Sequence, residues 1–182
     1  MEQLLWLAQH PDLGTAITEA KRELDPFARL ADAIRLAGFR RDFTLTNRMD
    51  RLATPALEAI HHGGSGHSGL RPLRMAMLSS HTVDHLLPAI RVAGLQRGLA
   101  LSVHVSPYGL YRQALLGEDA ELAAFAPQIL VLALDARDAA LQLPLEASQQ
   151  QVDVAVAERV AELRLLWRRG RERFAAQVIQ QT

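Results

Sequence analysis

Cysteine is absent from the 182-residue chain, and this absence excludes several kinds of chemistry. Without it the protein has no disulfide, no thiolate ligand for a metal and no cysteine nucleophile. A cysteine-free composition is typical of proteins that work in a reducing compartment. We therefore expect any covalent chemistry in this chain to use a serine or threonine hydroxyl.

The chain also lacks an excess of charge of either sign. Lys and Arg together number 20, as do Asp and Glu, which gives a formal net charge of +0. Proteins that hold a nucleic-acid backbone use a basic excess, so we expect no nucleic-acid partner. No apolar run reaches the length of a membrane span, and residues 1–7 have no basic signal-peptide segment. The sequence predicts a soluble, cytoplasmic protein without membrane contact.

Apolar residues make up 49% of the chain, which is enough to offset the entropy of ordering a core. In residues 1–60 they recur mostly every three or four positions, and Pro11, Gly14, Pro26 and Gly38 divide this stretch into short helices. Residues 61–70 are rich in Gly, His and Ser, as linkers are. We predict a helical arm (1–60), a linker (61–70) and an α/β domain (71–182).

Short apolar runs alternate with helical spacing beyond residue 70. Strands are predicted at 73–78, 99–105, 129–134 and 175–179. Helices are predicted at about 83–98, capped by Thr82, at about 110–116, and from about 152 to a point before Gly170. Strict alternation predicts a parallel, Rossmann or flavodoxin-like α/β sheet with helices on both sides. Ligands of such sheets bind at the carboxyl ends of the strands.

Hydroxyl and imidazole groups follow the first predicted strand, in the run Ser79-Ser80-His81-Thr82. A serine at this turn can act as a nucleophile, because N–H groups at the start of the next helix can hold an oxyanion. The same residue types are also common helix caps and ligand contacts. We take Ser80 and Ser79 as candidate catalytic residues, and His81 and Thr82 as candidate substrate-binding residues.

Charged and aromatic residues follow the other two central strands. Carboxylates directly after a buried strand are costly unless they meet a ligand or each other. An aspartyl phosphatase would need Asp-x-Asp here, but Arg137 occupies the second position, so that activity is not expected. Arg137 forms either a salt bridge or a substrate contact, and the tyrosines line a pocket or cover the sheet edge. The candidate substrate-binding residues are Tyr108, Tyr111, Gln113, Asp135, Arg137 and Asp138.

Metal binding is not expected in this chain. His61, His62 and His67 lie in the flexible predicted linker, where ordering the ligands would cost entropy. The glycines of the linker precede the first strand, so they do not form a phosphate loop.

Several segments together resemble the FkbH-like family. They are residues 77–88, which contain Ser-Ser-His-Thr, and residues 107–113, 125–138 and 178–182. Residues 43–52 resemble the N-terminal region of that family. The segments follow the family's order, and the match as a whole covers most of the chain outside the linker.

The resemblance implies an N-terminal SGNH-hydrolase-like domain followed by a Mg-dependent phosphatase domain of the haloacid-dehalogenase (HAD) superfamily, subfamily IIIC. Some family members are glyceryl transferases and phosphatases that take a glyceryl unit from 1,3-bisphosphoglycerate. They load it as a thioester on an acyl carrier protein for polyketide biosynthesis. The family chain would continue past Thr182, so the α/β domain is expected to be truncated here, with no cofactor of its own. The implied partners are an acyl carrier protein and a small phosphorylated or acyl substrate.

The chain departs from the SGNH pattern at each catalytic block. The nucleophile aligns with Ser80, but another register places His81 or Thr82 there, and residues 135–138 supply no Asn. The late His of the pattern would lie beyond Thr182, so no Ser–His pair can be assigned. The leading hypothesis is therefore a domain that positions substrate or carrier. The alternatives are an SGNH-type serine esterase and a non-catalytic interaction module that uses residues 1–60 either to form a homodimer or to dock on another partner.

Overall fold

A computed structural model describes residues 6–63, 69–117 and 119–181 of the chain. In these residues a four-stranded parallel sheet has the order β2-β1-β3-β4. Its strands are β1 (Arg71–Ser79), β2 (Leu99–Val105), β3 (Ile129–Ala133) and β4 (Gln177–Gln180). The helices are α1 (Leu13–Ala20), α2 (Pro26–Ala37), α3 (Phe43–His61), α4 (Leu87–Leu95), α5 (Tyr111–Leu116), α6 (Ala120–Phe125), α7 (Ala136–Ala139) and α8 (Gln149–Phe174). The predicted α/β class with a parallel sheet is confirmed.

The register of the sheet determines which loops emerge together. Ser79 pairs with Ala133 at the carboxyl ends of β1 and β3, and Leu132 pairs with Gln180 of β4. Since the strands are parallel, the residues that follow β1 and β3 leave the sheet at one edge.

Residues Met1–Leu73 and Asp84–Ser102 form one compact unit. Its core joins apolar side chains of α1, α2 and α3 to those of α4, among them Ile17, Leu36, Met49 and Val92. Helix α3 continues to His61, whose Nε2 lies 2.9 Å from the carbonyl oxygen of Ala100. His62 follows the helix as its C-cap, and residues 64–68 of the predicted histidine-rich linker, which include His67, lie outside the described residues.

An aspartate precedes each of the first three helices and satisfies N–H groups that have no partner within the helix. Asp12 accepts from the N–H of Thr15, Asp25 from those of Phe27 and Ala28, and Asp42 from that of Leu45. Proline at the first position of α2 adds to this signal, because its missing N–H costs nothing there. These caps explain where the three helices begin.

A buried ion pair connects α3 to α4. Arg91 donates from Nε to Oδ1 of Asp50 over 2.7 Å, and from Nη2 to Oδ2 over 2.6 Å. Asp50 is only 5% exposed. The hydrogen bonds that Arg91 donates to Asp50 raise the pKa of Arg91, although burial opposes this effect. The two-pronged geometry satisfies both carboxylate oxygens away from water.

Residues Arg74–Val83 and Val103–Thr182 form the second compact unit. Its core includes Leu78 of β1, Leu130 and Leu132 of β3 and Leu166 of α8. Trp167 of α8 is half-buried, and its indole N–H donates to the side-chain oxygen of Gln180 at 2.6 Å. Helix α8 is thereby attached to the last strand.

The prediction that the long helix ends before Gly170 is wrong, because α8 continues to Phe174. Gly170 is buried at the helix–sheet contact, where a Cβ would lie 2.9 Å from Cδ1 of Leu130 and 3.0 Å from Cγ2 of Val178. The glycine therefore permits a close approach of α8 to β3 and β4. Helix α8 ends at Phe174, and its C-cap Ala175 has a φ of 49° in the left-handed region.

The prediction that Thr82 caps the next helix is also wrong. A 3₁₀ turn at Asp84–Leu86 follows it, and α4 begins only at Leu87, without a side-chain cap. Pro88 lies in the first turn of α4 and needs no hydrogen bond for its nitrogen. The helix ends at Leu95, slightly before the predicted end near Gly98. Across residues 6–63, 69–117 and 119–181, no helix is both long and apolar enough to cross a membrane.

Candidate functional site

Backbone hydrogen bonds hold together the loops that follow β1, β2 and β3. The N–H of Ser80 donates to the carbonyl of Ala133 at 3.2 Å, and that of Ser106 to Met77 at 3.0 Å. The N–H of Gly109 donates to the carbonyl of Ser79 at 3.1 Å. The loops expected to carry the site therefore meet at the carboxyl edge of the sheet, where parallel α/β proteins bind ligands.

Ser79 is the last residue of β1 and is only 2% exposed. Its hydroxyl accepts from the backbone N–H of His81 at 2.9 Å and donates to the carbonyl oxygen of the same residue. Both hydrogen-bonding roles of the hydroxyl are thus used within the turn. The Ser79 hydroxyl therefore stabilises the turn that follows β1.

Ser80 faces the loop after β3. Its Oγ accepts from the backbone N–H of Asp135 at 3.1 Å, and its hydroxyl also hydrogen-bonds to the carboxylate of Asp138. The side chain is half-buried. Ser80 therefore connects the ends of β1 and β3 through a polar contact whose partner is a carboxylate.

Asp135 and Asp138 form a capping box at the start of the short helix α7. Oδ1 of Asp135 accepts from the N–H of Arg137 at 2.7 Å, and Oδ2 of Asp138 accepts from the N–H of Asp135 at 3.1 Å. The two aspartates thus meet the expectation that carboxylates after a buried strand find partners.

Tyr111, at the start of α5, completes this cluster. It is 2% exposed, and its phenol donates to Oδ1 of Asp138 at 3.1 Å. Burial raises the pKa of Tyr111 to about 12, with Arg112 opposing the shift and Asp138 adding to it. Burial alone would raise the pKa of Asp138, but hydrogen bonds from Ser80, the Asp135 N–H and Tyr111 hold that pKa below its usual value. At neutral pH the cluster therefore has a neutral phenol beside an ionised carboxylate.

An ion pair between Arg112 and Glu162 lies beside the cluster, where Arg112 contacts Tyr111. The sequence did not predict this pair. Nε of Arg112 donates to Oε1 of Glu162 at 2.5 Å, and the guanidinium lies 4.7 Å from the centre of the Tyr111 ring. Arg159 donates to the other oxygen of Glu162 at 2.6 Å. These contacts lower the pKa of Glu162, the hydrogen bond from Arg112 being the main cause.

The other predicted site residues lie outside the cluster. Tyr108 and Gln113 are exposed, and so is Thr82. Arg137 is also exposed and forms no salt bridge with any carboxylate in the described part of the chain. The cluster at the sheet edge therefore consists of Ser80, Tyr111, Asp135 and Asp138.

Two buried polar atoms at this edge have no hydrogen-bond partner among the described residues. They are Nδ1 of His81, after β1, and Oγ of Ser106, after β2. Ser106 is 3% exposed, and the sequence analysis missed it as a candidate. Its position directly after a strand of the predicted sheet was the available signal. Buried polar atoms are normally paired, so both have unused hydrogen-bonding capacity.

These residues present polar groups of the kind that bind a ligand. Within the described residues, neither Ser79 nor Ser80 hydrogen-bonds to an imidazole that could act as its base. The same residues contain no group of three or more His, Asp or Glu side chains placed to hold a metal ion.

Comparison with known proteins gives few matches. No family model matches the chain, and no curated protein matches it. Among solved structures, the N-terminal part of the protein BF1531 from Bacteroides fragilis is similar, with a TM-score of 0.49 and 15% sequence identity. That structure is described as containing a phosphatase domain complexed with Mg. The match covers 86% of this chain but only 33% of the other, so this chain spans about a third of its length, and the likeness is a distant one of fold.

Proposed function

We propose that this chain is the N-terminal, positioning part of an FkbH-like protein. Its sheet edge would bind a small acyl or phosphorylated unit, such as the glyceryl unit that the family loads onto an acyl carrier protein. Residues 77–88, 107–113 and 125–138, which resemble segments of that family, include loops of this edge, and this supports the proposal.

The unpaired atoms His81 Nδ1 and Ser106 Oγ are the observation that carries the proposal. A buried donor or acceptor without a partner costs about 1–3 kcal/mol, and a bound polar unit would remove that cost. The adjoining residues Ser80, Tyr111 and Asp138 are already hydrogen-bonded, so they hold the loops beside these two atoms in place. Pre-formed sites with a few precisely placed polar groups are typical of small-ligand binding.

Binding is better supported than serine hydrolysis by the same contacts. Ser79 uses its hydroxyl on the backbone of His81, and Ser80 uses its hydroxyl on the loop after β3. A serine nucleophile needs a positioned general base, which neither residue has among the described side chains.

Calorimetric titration of the whole chain with an acyl carrier protein that bears a glyceryl thioester on its phosphopantetheine arm tests the proposal. We expect saturable binding that the unmodified carrier protein shows weakly or not at all. Ser106→Ala should weaken binding of the loaded carrier by roughly fivefold, because it removes a hydrogen-bonding group. Ser102→Ala, on the strand β2 that precedes Ser106, is the matched control and should bind like the parent protein.

Equal binding of loaded and unmodified carrier, or no binding of either, would overturn the positioning role. A serine-reactive phosphonate provides the second arm. Labelling that disappears in Ser80→Ala would identify an esterase instead, whereas the proposal expects no labelling.

A further inference from the structure

A cavity of about 240 Å³ lies among the first three helices of the first compact unit. Its walls come from α1, from the residue that follows α1, from α2 and from α3. The lining residues are Ile17, Thr18, Lys21, Arg29, Arg48, Arg51 and Leu52. Ile17 and Leu52 are both buried and give the cavity an apolar floor.

The remaining walls are strongly cationic. Lys21, Arg29, Arg48 and Arg51 line the cavity, and no carboxylate does. In the described part of the chain none of these cations forms a salt bridge. The whole chain has a formal net charge of +0, so this is a local concentration of positive charge. Like charges around one space repel each other unless an anion lies between them.

One of these cations is held in place by contacts within the wall. Nη2 of Arg48 donates to the carbonyl of Gly14 at 3.0 Å and to Oγ1 of Thr18 at 2.7 Å. Thr18 itself donates to the Gly14 carbonyl at 2.8 Å. The Arg48 guanidinium is thus attached to α1, and its other N–H groups remain available.

Arg29, a second cation of the cavity, has an unpaired hydrogen-bond donor. Nε of Arg29 is buried and has no hydrogen-bond acceptor among the described residues. A buried guanidinium N–H is normally paired, so this atom marks a place for an acceptor oxygen.

We propose that this cavity binds the phosphate group of a small phosphate monoester, a site beyond the function proposed for the sheet edge. Arginine forks match the oxygens of phosphate in pairs, as the guanidinium groups of Arg29 and Arg48 would do here. The exposed Lys21 and Arg51 add charge at the rim. Small-ligand sites usually have volumes of about 300–1,000 Å³, so this smaller cavity excludes a nucleotide. The apolar floor accommodates a short carbon chain.

Titration calorimetry of the whole chain with propyl phosphate, inorganic phosphate and propyl sulfonate tests the site. We expect saturable binding of propyl phosphate, weaker binding of inorganic phosphate because it leaves the floor uncovered, and the weakest binding of the singly charged sulfonate. Arg29→Gln and Arg48→Gln should each weaken propyl phosphate binding by roughly tenfold. Arg35→Gln, on the exposed side of α2, is the matched control and should change affinity less than about twofold.

Thermal unfolding provides an independent readout, because a bound ligand raises Tm. Propyl phosphate should raise the Tm of the parent protein and of Arg35→Gln equally, and that of Arg48→Gln less at the same ligand concentration. If Arg29→Gln or Arg48→Gln fails to fold, Lys21→Gln and Arg51→Gln replace them, with a smaller expected loss. Absence of binding by the parent protein would overturn the site, and so would an equal loss in Arg35→Gln.

Discussion

The phenol of Tyr111 donates a hydrogen bond to Oδ1 of Asp138 over 3.1 Å, which joins the start of α5 to the short helix after β3. The contact links residues 27 positions apart, and it is one of several polar contacts that fix the carboxyl edge of the sheet. The pKa values of the two partners are shifted in opposite directions. Burial raises the pKa of the phenol, which stays neutral, while hydrogen bonds lower the pKa of the carboxylate, which stays ionised.

Titration of Tyr111 checks this relationship directly. The chain has only two tyrosines, so Tyr108→Phe leaves Tyr111 as the single phenol. Its absorbance should change with a midpoint near the pKa of about 12 in the folded protein and near 10.0 in urea. Because the folded pKa is the higher of the two, stability should fall as pH rises above about 10. Adding Asp138→Asn should lower the midpoint in the folded protein, and an unchanged midpoint would show that Asp138 does not interact with the phenol.

Asp138 also predicts how the stability of the protein changes at low pH. Its folded pKa is lower than the usual value of 3.8, so its stabilising effect is present above that pH and is lost as pH falls through the folded pKa. Asp138→Asn should reduce the free energy of unfolding at pH 7 by roughly 1–2 kcal/mol, and the difference should shrink below about pH 4. Urea unfolding across this pH range measures both effects. Asp84→Asn, at an exposed carboxylate, is the control, and a constant difference for Asp138→Asn would contradict the assignment.

The ion pair of Asp50 and Arg91 should show strong coupling. Asp50→Ala leaves the Arg91 guanidinium in a partly buried position without its partner, and we expect a loss of roughly 3 kcal/mol in unfolding free energy. Arg91→Ala should cost a similar amount, and the double variant much less than the sum. A double-mutant cycle by urea unfolding measures the coupling, for which about 2 kcal/mol is expected. Additive effects would mean that the pair contributes no interaction energy.

Gly170→Ala should destabilise the protein although alanine is the better helix former. The added Cβ would lie 2.9 Å from Leu130 and 3.0 Å from Val178, and overpacking of this kind costs about 1–3 kcal/mol. The gain in helix propensity is at most about 1 kcal/mol. Gly14→Ala is the matched control, because there the nearest atoms are 3.6 Å away. Thermal unfolding measures the Tm of both variants. A Tm for Gly170→Ala above that of the parent protein would contradict the close contact.

The sequence predicted the parallel sheet because it depends on local patterns, and the same patterns located the candidate site residues near the carboxyl ends of its strands. Apolar runs that alternate with helical spacing indicated the parallel sheet, and Ser80, Asp135 and Asp138 follow directly from the ends of two strands. The capping box of Asp135 and Asp138 could have been recognised from its spacing of three.

Other features depend on packing between distant parts of the chain. A glycine ends some helices and permits close contact in others, so the spacing around Gly170 could not decide between the two. Arg112 and Glu162 are 50 positions apart, and no local pattern indicates that they pair. The cationic cavity likewise needs the packing of three helices to bring Lys21 and Arg51 to one space.

The contact between Trp167 and Gln180 determines what fluorescence can report. The chain has two tryptophans: Trp6 is already 68% exposed, while Trp167 is half-buried in the unit that contains β3 and β4. Unfolding changes the surroundings of Trp167 far more, so the emission signal follows the unit that contains it. Far-ultraviolet circular dichroism also includes α1 to α4 of the other unit. Comparing the two denaturation curves therefore measures whether both units unfold in one cooperative step.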